Sequence, residues 1–293
     1  MDLSYAQNME DYHLAKVFAG LRDGFYVDVG AGHPVADNVS FWFYLQGWRG
    51  LAVEPQAALA ELYAHVRPRD ATERTLVGAA AGEGAFYEVE RLHGFSTTRP
   101  EQARGAAAFG AGFRETRLPV TTLAALYARH DVPRDYAFLK IDVEGAEAEV
   151  LAGADWRWRP RVVVVEAVAP GSMEPAHGEW EPILTENGYR FAFFDRLNRF
   201  YVAEEAAGLA ARFPAEPADW GVVPHLYAYG RAPENPDHPD HALARALVGA
   251  FLARLPQETE LVRRLLGSDA GDDALRAALG RIASAYDGGQ IME

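Results

Sequence analysis

A chain of 293 residues, 49% hydrophobic and 24% charged, carries enough apolar material for one large domain or for a domain with an appendage. Its formal net charge of -14 argues against general binding to nucleic acid or to anionic membranes, whose phosphates select basic surfaces. With no cysteine in the chain, disulfides, thiolate nucleophiles and thiolate metal sites are excluded.

The first residues show no basic region followed by an apolar core, and no stretch approaches the roughly 20 apolar residues of a membrane helix, so the expected setting is the cytoplasm. Residues 4–22 place Gln7, Asn8, Glu10 and Asp11 ahead of Tyr12, Leu14, Val17, Phe18 and Leu21, a helical spacing that predicts a short amphipathic helix. An apolar strand over 25–29 follows and ends abruptly in Gly30-Ala31-Gly32. A strongly apolar helix is expected over 38–45, stopped by Gly47 to Gly50, then a second strand over 50–55 with Glu54 at its carboxyl end. Helix 56–66 leads to a third strand over 74–79, and 86–89 reads as a short edge strand.

Residues 93–117 differ in character, with Gly94, Gly105, Gly110, Gly112, several arginines and Ser96-Thr97-Thr98. A loop this long inside a compact domain is usually functional or disordered. Beyond it come a short helix to about His130, a fourth strand over 138–143, a helix over 146–152 and a fully apolar fifth strand over 162–165 ending in Glu166. A helix over 179–187 and two strands over 190–194 and 200–203 complete the pattern. Strands and helices alternating at this pitch predict an α/β fold, a doubly wound, mostly parallel sheet with right-handed crossovers. Proline-rich 230–239 reads as a linker, dividing a domain of residues 1–231 from a tail of 232–293 with helical patterns at 241–255 and 272–286. Those tail helices are candidates for covering the domain or joining a homo-oligomer.

In a doubly wound sheet, ligands bind outside the carboxyl ends of the strands. Asp28-Val29-Gly30-Ala31-Gly32, Glu54 with Pro55, Ala80 after the third strand, Asp142-Val143-Glu144-Gly145 and Glu166 all fall there. Glycines let a ligand approach the backbone, and an acidic side chain about 20 residues further on can accept ribose hydroxyls. A dinucleotide fingerprint would need a third glycine where this chain has Val35, so no pyrophosphate site is implied. An acidic glycine turn suits a cationic, phosphate-free nucleoside such as S-adenosylmethionine (SAM). The expected SAM-binding residues are therefore Asp28, Gly30, Ala31, Gly32, Glu54, Pro55, Ala80 and Asp142. Tyr136 and Lys140 spell a dehydrogenase-like Tyr-x-x-x-Lys pattern, but a strand separates the pair by about 13 Å, and it is dismissed.

These residues carry a resemblance. Phe25 to Gly32, followed by Phe138-Leu139-Lys140-Ile141-Asp142-Val143-Glu144-Gly145-Ala146-Glu147, resembles the FkbM family of SAM-dependent methyltransferases. The opening Ser4 to Asp11 and the late Asn198 to Val202 are similar too, while His33-Pro34 departs from the family pattern. The resemblance implies a Rossmann-like class I methyltransferase with a seven-stranded sheet, acting on hydroxyls of sugars or natural products. Such a hydroxyl must lose a proton, so Asp142, Glu144 and His33 are the candidate bases. Asp142 and Glu144 would share a side if their strand continues. The two carboxylates with His33 could alternatively hold Mg²⁺. Ser96, Thr97 and Glu166 are the candidate acceptor contacts. The competing readings are an NAD(P)-dependent oxidoreductase and a non-catalytic assembly protein on the same fold.

Overall fold

The computed structural model describes residues 1, 3–90, 93–105, 110–169, 174–219, 221–226 and 242. The expected linker at 230–239 and the tail patterns at 241–255 and 272–286, with any oligomer contact through them, lie outside the described residues except for residue 242. The backbone divides into one unit containing Leu3–Trp220 and another containing Gly221–Glu293. All the strands and helices below belong to the first.

Apolar β-branched and aromatic runs form the strands. These are β1 (Phe25–Val29), β2 (Arg49–Val53), β3 (Ala71–Glu73), β4 (Leu76–Val77), β5 (Gly82–Val89), β6 (Phe113–Thr121), β7 (Asp135–Ile141), β8 (Arg159–Glu166), β9 (Tyr189–Phe194) and β10 (Asn198–Ala203). The helices are α1 (Glu10–Val17), α2 (Phe41–Leu45), α3 (Ala57–Val66), α4 (Pro100–Gly105), α5 (Leu123–Arg129), α6 (Glu147–Ala152) and α7 (Glu181–Glu186). Among the described residues, seven strands make one sheet in the order β3-β2-β1-β7-β8-β10-β9. β1 lies between β2 and β7 and is parallel to both, whereas β10 runs antiparallel to its neighbours β8 and β9.

Side chains alternate across this sheet because strand residues point to opposite faces in turn. Val27, Leu51, Leu139 and Val163 pack on one face with Leu126 of α5, Val150 of α6 and Leu184 of α7. Tyr26, Phe138, Val162 and Phe200 pack on the other with Leu14 of α1 and Phe43 of α2. The expected α/β sheet covered on both faces is therefore present. The two terminal motifs that carried part of the resemblance meet in space. The Asn8 amide donates to the Asp195 carbonyl (2.8 Å) and the Asn198 amide to the Glu10 carboxylate (2.7 Å), tying the amino-terminal segment to the β9–β10 turn.

Three expectations are corrected. The third strand of the main sheet is Ala71–Glu73, not 74–79, and Leu76–Val77 belongs to a separate sheet of order β4-β6-β5. The stretch 93–117 is not one long loop, because it contains α4 and the first half of β6, whose partner β5 begins at Gly82 and not at residue 86. These strands hid because their small sheet is only partly covered. Charged Arg114, Glu115 and Arg117 in β6, and Gly82 and Gly84 in β5, replace the apolar alternation by which buried strands are recognised.

Candidate active site

The carboxyl edge of the main sheet gathers the motif residues. At the end of β1, Gly30 and Ala31 donate to the Val53 carbonyl of β2 (3.0 and 3.1 Å), which turns the chain sharply out of the sheet. Gly30 has φ +71°, and a Cβ there would lie 1.6 Å from the Asp142 carbonyl oxygen, so only glycine fits. Gly32 also has a left-handed φ, +61°, yet a Cβ there would meet nothing within 4 Å. The first glycine is needed by the fold; the second borders open space.

Glu54 closes the turn from β2. One carboxylate oxygen accepts from the Gly32 amide and the other from the Gln56 amide, both at 2.8 Å. Its carboxyl is buried, and that burial pushes its pKa up to about 7 in spite of the two amides and nearby Lys140. The Gln56 side chain adds a further hydrogen bond to this carboxyl. Pro55 follows, half-buried. Asp28 lies under the loop, fully buried, where it accepts from the Ser40 hydroxyl (2.7 Å) and sits 3.6 Å from the Lys140 ammonium. His33 is buried as well, and its Nδ1 accepts from the Val35 and Ala36 amides (3.2 and 3.0 Å), folding the turn back on itself. Ala80 is exposed in the connection between β4 and β5 and is not at the carboxyl end of a main-sheet strand.

Lys140 stitches two halves of the edge together. Its ammonium donates to the Gly30 carbonyl (2.9 Å) and lies 3.3 Å from Asp142. Burial alone would lower its pKa, but the Asp142 and Asp28 carboxylates outweigh that and raise it, so the charge stays. β7 ends at Ile141, so strand alternation does not align Asp142 with Glu144. Glu144 instead adopts a left-handed φ of +56°, and this turn brings its carboxylate together with those of Asp142 and Glu166, all within 4.8 Å of one another. Burial and then the Asp142 charge raise the pKa values of both Glu144 and Glu166 well above the usual carboxylate range. Three oxygens so placed could share a proton or take a hard divalent cation such as Mg²⁺; His33 is not in the group.

Ser96 and Thr97, expected to face an acceptor, are engaged by the protein. Ser96 Oγ accepts from the Val89 amide (3.0 Å), and the buried Thr97 hydroxyl donates to the Glu144 carbonyl (2.7 Å). Arg99 adds a bond from Nε to the Gly145 carbonyl (3.0 Å). A cavity of about 320 Å³ borders this turn, lined by Gln102, Gly145, Glu147, Val168 and Trp180. A larger one of about 430 Å³ lies at the opposite edge of the sheet, between Phe18, Arg22, Trp42 and Trp48.

The family profile described as the methyltransferase FkbM domain matches residues 28–191, more than half of the chain and the whole span from Asp28 to β9. The chain belongs to the FkbM methyltransferase family. Among solved structures it is similar to a TehB-like SAM-dependent methyltransferase from Corynebacterium glutamicum, at 11% identity and a TM-score of 0.36, over 66% of this chain and 87% of that one. Among curated proteins nothing matches. The FkbM domain of this chain therefore has the class I arrangement, a seven-stranded, mostly parallel sheet with its motifs at the carboxyl edge. The dehydrogenase reading falls with the family match.

Membership of a SAM-dependent family implies a site for SAM. Open space above Gly32 leaves room for a ligand against the backbone, with the Glu54 carboxyl on the Gly32 amide at its side. Residues that sequence reasoning missed lie behind the loop: Asn38, Tyr63 and Arg67. Arg67 gave no signal, since a cation just after the last turn of a helix is ordinary on a surface. Among the described residues, no helix is long and apolar enough to cross a membrane.

Proposed function

We propose that this FkbM methyltransferase moves a methyl group from SAM to a hydroxyl of a sugar or natural-product acceptor. Supporting this reading is the grouping of Asp142, Glu144 and Glu166 beside the glycine turn. A neutral hydroxyl is a weak nucleophile, and a carboxylate within hydrogen-bond reach can take its proton as the new C–O bond forms. Gly30, Ala31, Gly32 and Glu54 would hold the cofactor, with Pro55 beside them. Bound SAM supplies a methyl group on positively charged sulfur.

Asp142 is assigned the base because it is the member of the acidic group with the Lys140 ammonium beside it, at 3.3 Å. Glu144 and Glu166, whose burial favours their protonated forms, would hydrogen-bond the acceptor and fix its hydroxyl in line. An acceptor would extend from the acidic group toward the cavity lined by Gly145, Glu147 and Trp180. Its walls mix polar and apolar groups, as a sugar ring requires. Should the three carboxylates take Mg²⁺, the cation would polarise the same hydroxyl.

The test is to incubate the protein with deuterated-methyl SAM and a panel of neutral glycosides, polyketide alcohols and amines, and to read the products by mass spectrometry. Labelled methyl on an oxygen supports the proposal. Label found only on nitrogen, or no product from any hydroxyl compound, would overturn it.

A further inference from the structure

Arg67 is a fully buried cation, and all five of its N–H donors are used. Nε donates to Asp70 (2.8 Å), Nη1 to the Asn38 side-chain oxygen (2.8 Å) and the Pro34 carbonyl (3.3 Å), and Nη2 to the Tyr26 hydroxyl (2.8 Å) and Ser40 Oγ (2.9 Å). The rings of Tyr26, Tyr44 and Tyr63 stand 5.0–5.5 Å from the guanidinium. A buried ion is weak evidence for stability, since apolar side chains of the same volume often serve the fold as well. Where these bonds lead is therefore informative.

They lead to the cofactor turn from three directions. Arg67 reaches the Pro34 carbonyl directly. Asn38, held by Arg67 through its oxygen, spends its amide hydrogens on the Ala31 carbonyl (2.8 Å) and the Tyr63 hydroxyl (3.0 Å). Tyr63 in turn donates to the same Ala31 carbonyl (3.1 Å). Ser40, also held by Arg67, bonds Asp28 at the root of the turn (2.7 Å). A turn with two left-handed glycines has little stiffness of its own; the Val53 carbonyl and Glu54 hold its amides, and these anchors hold its carbonyls.

We infer that Asn38, Tyr63 and Arg67 are positioning residues for the cofactor, acting through the backbone of residues 31–34. They set its affinity without touching it. This rests on the reading of the turn as the SAM site. The pair Asn38–Tyr63 is the sensitive point, because both converge on one carbonyl next to the open space at Gly32.

The test compares N38D and Y63F with the wild-type chain by calorimetric titration with S-adenosylhomocysteine, at a temperature where circular dichroism shows each fully folded. N38D keeps the acceptor that faces Arg67 and Ser40 but loses both donors; Y63F keeps the ring and loses the hydroxyl. Each is expected to weaken binding roughly three- to tenfold, the scale of one lost hydrogen bond's worth of order in the turn. The double variant should fall short of the product of the two effects, since both act on Ala31. Wild-type affinity in folded Y63F, and in N38D if it folds, would overturn the inference. No binding by the wild-type chain would overturn the SAM reading itself and this inference with it.

Discussion

At the β1–β2 end of the carboxyl edge, the buried carboxylate Glu54 has each oxygen on a backbone amide, and Asp28 beneath it is shared between Ser40 and Lys140. Where β7 and β8 end, Asp142, Glu144 and Glu166 press three carboxylates together, with Lys140 the cation beside Asp142. The first region is prepared by protein contacts and resembles a socket. The second keeps electrostatic tension that a proton, a hydroxyl or a cation would relieve. Enzymes concentrate such perturbed groups where chemistry occurs.

Breaking the second region should have the largest effect. Asp142→Asn removes the assigned base while keeping shape, and turnover on whichever acceptor the product screen identifies should fall about 10²- to 10⁴-fold, the range for loss of a general base. Binding of S-adenosylhomocysteine should change far less. Unchanged turnover would remove Asp142 from the proton transfer.

The first region is sharpened by its two glycines. Gly30→Ala drives a Cβ into the Asp142 carbonyl at 1.6 Å with φ at +71°, and it should cost roughly 3 kcal/mol or more through clash and strain, visible as a large drop in Tm. Gly32→Ala meets no protein atom within 4 Å and should cost about 1 kcal/mol from its left-handed φ alone. It should nevertheless weaken cofactor binding, because the new methyl projects into space left open. Equal stability losses at the two positions would erase the distinction drawn between them.

How much of this was legible in the sequence follows from the same contrast. The glycine turn, Glu54 and the Asp142–Gly145 motif announce themselves because each breaks a local rule, placing an acid at the end of an apolar run or glycine where a strand should continue. The parallel sheet was legible from its β-branched runs. The grouping of Glu144 with Asp142 was expected for the wrong reason, since a left-handed turn and not strand alternation makes it. What supports the turn was not legible: Asn38, Tyr63 and Arg67 are ordinary residues for a helix approach and a helix end, and long-range packing alone brings them together. Arg99 was hidden likewise, in a stretch whose sheet is half-covered, and Thr97, read as an acceptor contact, donates to the Glu144 carbonyl.

The smallest predicted effect concerns pH. Burial raises Glu54 to about 7 and Glu10 to about 8, in both cases above the ordinary carboxylate value of 4.5. Groups with raised folded-state pKa values bind protons more tightly when folded, so the stability they favour is present at low pH and lost as pH rises through those values. His13 works in the opposite sense, lowered by burial to about 4, but only below its ordinary 6.5. Between pH 6.5 and 8.5, Tm at fixed ionic strength should therefore fall by a few degrees as pH rises. A Tm that climbs across this window would contradict the burial assigned to these carboxyls.

The central claim is that the turn from Gly30 to Gly32, with Glu54 behind it, is built for a cationic nucleoside and not for a dinucleotide. Calorimetric titration of the wild-type chain with SAM, S-adenosylhomocysteine and NAD tests it most directly. Saturable binding of both adenosyl compounds and none of NAD is expected. Binding of NAD, or no heat with either adenosyl compound, would contradict it.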